Sequence, residues 1–230
     1  MEAQGILKPK TKLEFINNIL YEIDSNRKIL KYKSWAGGYF AFLYDRIMKK
    51  SVFPKKFDAD ITLHDNLWRQ ELKDFQYKNI LEIGTGSGAA ANWLDSSNEY
   101  HGLDISPGLL KIAVKKFRRS GFRKCNYYVS NSENLVFYDN SFDLCLCMLT
   151  MNFLANPDKV LKEISRVLKE EGLFYGCVPI PEKIHHNAKI NGTLLTEKRL
   201  KEKFQEQALK WQSIPIENGA LLYFKAVNFK

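Results

Sequence analysis

Apolar residues in the first third of the chain recur at intervals of three and four. Leu13, Ile16, Leu20 and Ile23 keep this spacing and predict a helix over 13–23. A second helix is expected over 39–50, between the Gly37-Gly38 breaker and Pro54. A third is expected over 61–75, where Leu67, Trp68, Leu72 and Phe75 share a side. From residue 79 the pattern changes to short apolar runs alternating with longer periodic segments. Strands are expected over 79–83, 100–105, 125–130, 142–149 and 173–178, and helices over 89–94, 107–120 and 157–170. Ser106 suits an N-cap, Pro107 the first helical position and Gly121 a left-handed stop. Asn156 is expected to cap the next helix and Gly172 to end it, with Val160, Leu161, Ile164, Val167 and Leu168 forming a stripe that lies on a sheet. A last helix starts at Thr196, where Leu195 and Leu200 are placed as a hydrophobic staple. Strands over 210–215 and 221–227 follow, split by the turn Glu217-Asn218-Gly219. The alternation implies a doubly wound α/β fold, a mostly parallel seven-stranded sheet with helices on both faces and one antiparallel strand from the terminal pair. Residues 1–75 read as an N-terminal helical segment and 76–230 as the core.

Composition narrows the class without choosing a partner. The chain has 230 residues, 45% apolar and 27% charged, with 13 Gly and 7 Pro, which excludes collagen-like and wholly disordered readings. Cys125, Cys145, Cys147 and Cys177 fall inside apolar runs, as reduced, buried cysteines do. The opening MEAQGILKPK lacks the pattern of a secretory signal, so a cytoplasmic location is expected. The longest apolar stretch, 144–155, is interrupted by Thr150 and Asn152 and is far short of the roughly 20 residues of a membrane span. The net charge of +9 is spread along the chain. Its one dense cluster, 115–124, sits where a helix ends and complements the helix C-terminus.

Candidate chemistry centres on one loop. After the strand 79–83 come Gly84-Thr85-Gly86-Ser87-Gly88-Ala89, leading straight into a helix. A doubly wound sheet binds its ligand at such a place, where glycine lets main-chain atoms approach the ligand. Gly84, Gly86 and Ala89 also fit a loose dinucleotide fingerprint, and Asp104, ending the second strand of the alternating region, is where either kind of cofactor has its ribose bound. Glu82, two residues before the first glycine, places a carboxylate at the mouth of the site, which suits an ammonium group and opposes a pyrophosphate.

In these residues the chain resembles the class I S-adenosylmethionine-dependent methyltransferases. Residues 81–88, LEIGTGSG, look like the family's first motif, and 102–107, GLDISP, like its second, whose acid binds the cofactor ribose. Residues 130–137, SNSENLVF, are similar to its acid-Ala-Glu-x-Leu-Pro-Phe stretch, and 167–173 to its Arg-Val-Leu-Lys-Pro-Gly-Gly turn. Asn131 stands in place of the usual Asp, and Glu171 in place of Pro. The likeness covers about 77–180 and is closest to the small-molecule branch that includes quinone-biosynthesis C-methyltransferases. It implies a Rossmann-like core, S-adenosylmethionine as cofactor and S-adenosylhomocysteine as product. It further implies that Glu82 and Gly84, Thr85, Gly86, Ser87 and Gly88 hold the methionine end, Asp104 with Ile105 the ribose, and Asn131, Ser132 and Glu133 the adenine side.

By the same resemblance, a small-molecule substrate sits over the fourth and fifth strands of the core, under a lid from the N-terminal helices. That nominates Met148, Leu149, Asn152 and Phe153, together with Tyr44, Asp45, Trp35 and Tyr39. Met148 would also border the cofactor. His185 and His186, after the fifth core strand, are candidate general bases because a histidine pKa lies near neutrality. His64 and His101 read as structural. Cys145 and Cys147 share a strand face, but no nearby Cys or His pair completes a metal set, so no metal is expected. Nucleic acid is not an expected partner, because the Pro-Pro-aromatic and Pro-Cys motifs of base methylases are absent. Two alternatives stay open: an NAD-dependent oxidoreductase on the same sheet type, and a non-catalytic domain that binds the cofactor. The oligomeric state is not legible.

Overall fold

A computed structural model describes residues 5–8, 11–32, 41–184 and 189–230. Nine strands form one mixed sheet, in the order β1-β2-β5-β4-β3-β6-β7-β9-β8. Seven of them are the expected ones: β3 (Asn79–Ile83), β4 (Glu99–Asp104), β5 (Cys125–Val129), β6 (Phe142–Met148), β7 (Leu168–Pro179), β8 (Leu209–Asn218) and β9 (Leu221–Asn228). β5, β4, β3, β6 and β7 run parallel, and β9 pairs antiparallel to both β7 and β8. The remaining two strands correct the reading of 13–23 as a helix. They are a hairpin, β1 (Leu13–Ile16) and β2 (Ile19–Glu22), and β2 lies parallel to β5. Asn17 and Asn18 both have positive φ, at 51° and 65°, and Ile16 faces Ile19 across them. That is the geometry of a two-residue hairpin turn that continues the sheet's twist, and Asn tolerates it. A period-2 pattern, with Ile19 and Tyr21 buried, displaced the weaker helical one.

Helices cover both faces, each bringing a buried stripe to one of two apolar clusters. α2 (Ile61–Leu72), α3 (Pro107–Arg119) and the helical stretch 41–56, which contains α1 (Tyr44–Ile47), supply Phe53, Trp68, Leu72, Leu110, Ala113 and Phe117 to the first. α4 (Pro157–Val167) and α5 (Glu197–Glu206) supply Val160, Leu161, Ile164, Leu200 and Phe204 to the second. The stretch 41–56 runs on through Pro54. Pro54 has no N–H to donate, and the turns around it widen until the Phe57 amide donates to the Val52 carbonyl at 3.1 Å. Ser106, Asn156 and Thr196 cap α3, α4 and α5 as expected, each accepting from a backbone N–H.

Three helices are shorter than expected. The segment 89–94 is a single tight turn over Ala89–Asn92, α2 stops at Leu72, before Phe75, and α4 stops at Val167, before Glu170. Asn228 explains the last. Its Nδ2 donates to the carbonyls of Ser165, Leu168 and Lys169, satisfying the helix end from a strand that arrives sixty residues later. Leu168 then pairs with Phe142, and 169–172 bulge out of β7 with Glu171 at φ 58°. A proline could not adopt that angle.

His64 and His101 are buried. His64 lies among Phe53, Trp68, Trp93 and Tyr223, and burial pushes its pKa down to about 3, so it is neutral. Cys145, Cys147 and Cys177 are fully buried, and burial raises their thiol pKa values. No described helix is long and apolar enough to cross a membrane.

Candidate active site

The chain winds from β3 to β4 to β5 in one direction, then returns to place β6 on the other side of β3. The loop 84–88 lies at the carboxyl end of β3, at this reversal, where neighbouring connections diverge and leave a crevice. Gly84, Gly86 and Gly88 all have positive φ, at 75°, 55° and 78°. Gly84 is also pressed against Thr150, which follows β6, since a Cβ there would lie 2.2 Å from Thr150 Oγ1. At Gly86 a built Cβ would make only ordinary contacts, the nearest at 3.9 Å to the Gly84 carbonyl and the Tyr44 ring. The first glycine therefore fits the loop against Thr150, and the second, itself buried, lies under Tyr44.

Glu82 lies beneath this loop rather than at its mouth, 2% exposed. The Tyr100 hydroxyl donates to Glu82 Oε2, and Thr85 Oγ1 lies 3.1 Å from the same hydroxyl. Gly102 makes room for the cluster, since a Cβ there would lie 2.6 Å from Thr85 Oγ1. Burial pushes the Glu82 carboxyl up to about 8, outweighing the Tyr100 hydrogen bond that favours its ionised form. A glutamate in the unfolded chain ionises near ~4.3. Between these values the folded protein holds one proton more than the unfolded chain, so stability falls as pH rises through that window and levels off above it. Thermal melting of the wild type and Glu82→Gln across this range checks the sign. The wild type is expected to lose ground to the variant steadily up to about pH 8. A difference that stays flat would show that Glu82 is ionised throughout.

Asp104, at the end of β4, holds the loop from the side. Its Oδ2 accepts from the Gly86 amide at 2.8 Å and its Oδ1 from the Ser106 amide at 2.8 Å. Each oxygen keeps a further lone pair for a ligand hydroxyl. Burial raises the Asp104 pKa against these backbone donors. Ile105, next in the chain, is 37% exposed.

One strand further, Asn131 Oδ1 accepts from the Glu133 amide at 3.0 Å, and Ser132 is buried. The loop 130–138 is tied on two sides. The hairpin brings Glu22 beside the end of β5, where it accepts from Ser130 Oγ at 2.8 Å and from the Tyr32 hydroxyl. Arg166 of α4 donates to the carbonyls of Leu135 and Phe137 and to Asp139 and Glu163.

The helical stretch 41–56 roofs the glycine loop. Ser87 Oγ donates to Asp45 Oδ1 at 2.5 Å, Lys116 Nζ meets Asp45 Oδ2 at 2.9 Å, and the Tyr44 ring is 3.9 Å from a Cβ built on Gly86. Burial, with Asp104 and Asp45 nearby, pushes the Tyr44 phenol up to about 12. At the end of β6, Met148 is buried, Leu149 takes φ 54°, and Phe153 is 57% exposed. Such an angle in a β-branch-free but bulky residue stores about 1 kcal/mol or more. Asn152 is buried, with Nδ2 donating to the Asn191 carbonyl at 2.7 Å. That carbonyl only accepts, so the amide orientation is fixed and Asn152 Oδ1 is left without a partner among the described residues. Trp35, Tyr39, His185 and His186 lie outside the described residues.

The structure thus brings Glu82, the glycine loop, Asp104, Tyr44 and Asp45 together, with Asn131, Ser132 and Glu133 at the neighbouring strand end. Sequence reasoning missed Tyr100, Thr150, Arg166 and the Glu22–Tyr32 pair. Tyr100 was findable, because it shares a strand face with Gly102 and Asp104. The hairpin contacts were not, since Glu22 and Ser130 are 108 residues apart.

Comparison with known proteins agrees with this geometry. Residues 81–176 match the family model described as a methyltransferase domain. The chain is 31% identical over 115 residues to a demethylmenaquinone methyltransferase of Thermotoga maritima, covering 47% of this chain and 48% of that protein. It is 28% identical over 138 residues to a sterol 4-C-methyltransferase of Caenorhabditis elegans, covering 59% and 41%. The aligned part thus spans less than half the length of either relative. A SAM-dependent methyltransferase from Aquifex aeolicus superposes with a TM-score of 0.62 at 16% identity, over 80% of this chain and 96% of that one. Residues 81–176 are thus similar to a methyltransferase domain.

Proposed function

We propose that the chain transfers a methyl group from S-adenosylmethionine to an oxygen, nitrogen or carbon of a small molecule, releasing S-adenosylhomocysteine. The observation that carries this reading is the glycine loop at the sheet's reversal, with its Gly86 amide fastened to a half-buried Asp104 that keeps lone pairs free. The residues fit the cofactor. The loop 84–88, with Glu82 buried beneath it, faces its methionine end, Asp104 and Ile105 its ribose, and Asn131, Ser132 and Glu133 its adenine. Bound there, the cofactor supplies a methyl on a positively charged sulfur, and alignment of the acceptor with it does most of the catalytic work. Tyr44 and Asp45 close the loop side as a lid, and Met148 and Asn152 border the acceptor. His185 or His186 takes the acceptor's proton. The two relatives are named for a sterol and a quinone precursor, which supports an apolar acceptor. The location is read as cytoplasmic.

Calorimetric titration of the purified protein with S-adenosylmethionine, S-adenosylhomocysteine and NAD tests the reading. Micromolar binding of both adenosyl ligands and none of NAD is expected. Binding of NAD alone would overturn it in favour of an oxidoreductase. Because the cofactor's ammonium favours ionised Glu82, binding is also expected to release a proton and to tighten as pH rises towards about 8.

A further inference from the structure

Two adjoining helical segments expose basic side chains that the site does not use. On α3 the exposed positions Lys111, Lys115, Arg118 and Arg119 are spaced i, i+4, i+7 and i+8, a single stripe. The stretch 41–56, tight over 41–43 and widened from Met48, exposes Phe42, Arg46, Lys49 and Lys50. It adjoins the α3 stripe, because residues 41–43 pack on α3 and Lys116 meets Asp45. No acidic residue occurs between Ile105 and Ser132, and Asp45, already bound to Lys116 and Ser87, is the one acid within 41–57. Within this basic field Phe42 is 76% exposed and Ile47 39% exposed.

We propose that this face docks on an anionic lipid bilayer, its lysines and arginines against the headgroups, with Phe42 and Ile47 entering the boundary of the acyl region. Basic residues around exposed apolar ones are the pattern of a helix that lies in the membrane interface, where charge attraction and apolar burial add. A nucleic-acid partner would stack on Phe42 but gain nothing from an exposed Ile47, which has no polar group and no ring.

Sedimentation of the full chain with vesicles tests this without any turnover. The vesicles are phosphatidylcholine alone, or phosphatidylcholine with one third phosphatidylglycerol, at low and at half-molar salt. The protein is expected to sediment with the anionic vesicles only, and to be released by salt. Lys49→Glu with Lys50→Glu should lower the partition coefficient at least tenfold, and Phe42→Ser by about tenfold. Lys162→Glu, exposed on α4 across the sheet, should leave it unchanged. Binding equal on neutral vesicles, binding as sensitive to Lys162→Glu, or full binding by Phe42→Ser would each overturn the proposal. So would retention of a single-stranded RNA by a protein that ignores the vesicles, which would make the face a nucleic-acid site. Titration of each variant with S-adenosylhomocysteine keeps the result separate from the cofactor reading, because neither Phe42 nor the lysines touch that site.

Discussion

Gly84→Ala is expected to destabilise the protein by about 3 kcal/mol, lowering its melting temperature by roughly 6–12 °C for a chain of this size. Two effects add. A side chain at φ 75° costs about 1–2 kcal/mol in the left-handed region. The new methyl would also sit 2.2 Å from Thr150 Oγ1, 2.5 Å from its Cγ2 and 2.7 Å from its Cβ, so no rotation of Thr150 relieves the overlap and the backbone must move. Adding Thr150→Gly should return about half of the loss, leaving only the cost of the angle. Gly86→Ala is the contrasting case. Its methyl would meet nothing within 3.9 Å, so melting should fall by a third as much, while binding of S-adenosylhomocysteine disappears because the methyl stands where the ligand approaches. Equal melting losses for the two variants would show that the contact with Thr150 is not what fixes the loop.

Asp104→Ala carries the second large effect, on binding rather than on the fold. The carboxylate holds the Gly86 and Ser106 amides and is the group read as the ribose acceptor. Removing it leaves a buried amide unpaired and the ligand hydroxyls without a partner, a loss of about 1–3 kcal/mol. Calorimetric titration should therefore give dissociation constants for S-adenosylmethionine and S-adenosylhomocysteine weaker by about 10–100-fold. Asp104→Asn should lose nearly as much, since one of its two atoms donates where both amides require an acceptor. Unchanged affinity in both variants would place the ribose elsewhere.

The parts of the molecule that were legible in the sequence are those whose signals are local. Ser106-Pro107, Asn156-Pro157 and Thr196 mark helix starts because an N-cap acts within three residues, and all three caps form. The strand and glycine loop over 79–88 were legible for the same reason, and their place at the sheet's reversal follows from the alternation of elements. What failed depends on partners distant in the chain. The end of α4 is set by Asn228, and the hairpin β1–β2 is strand because β5 offers it an edge. Its local hint, Asn17-Asn18 between two isoleucines, was outvoted by a helical spacing of four residues. Glu82 shows a third kind of limit. Its place just before the glycine loop was legible, but its burial under Thr85 and Tyr100 follows from the pairing of β3 with β4, which no spacing within one strand reveals.

The same hairpin imposes an order on the birth of the protein. Glu22 and its partner Ser130 are separated by 108 residues, so a ribosome adding about 5–20 residues per second needs some 5–20 s to make the strand end that β2 joins. During that interval the two strands form at most a lone hairpin, which is marginal in water, and Ile16, Ile19 and Tyr21 have no core to cover them. The piece of sheet that flanks the candidate adenine loop is thus made before the rest of the sheet and among the last to find its place in it.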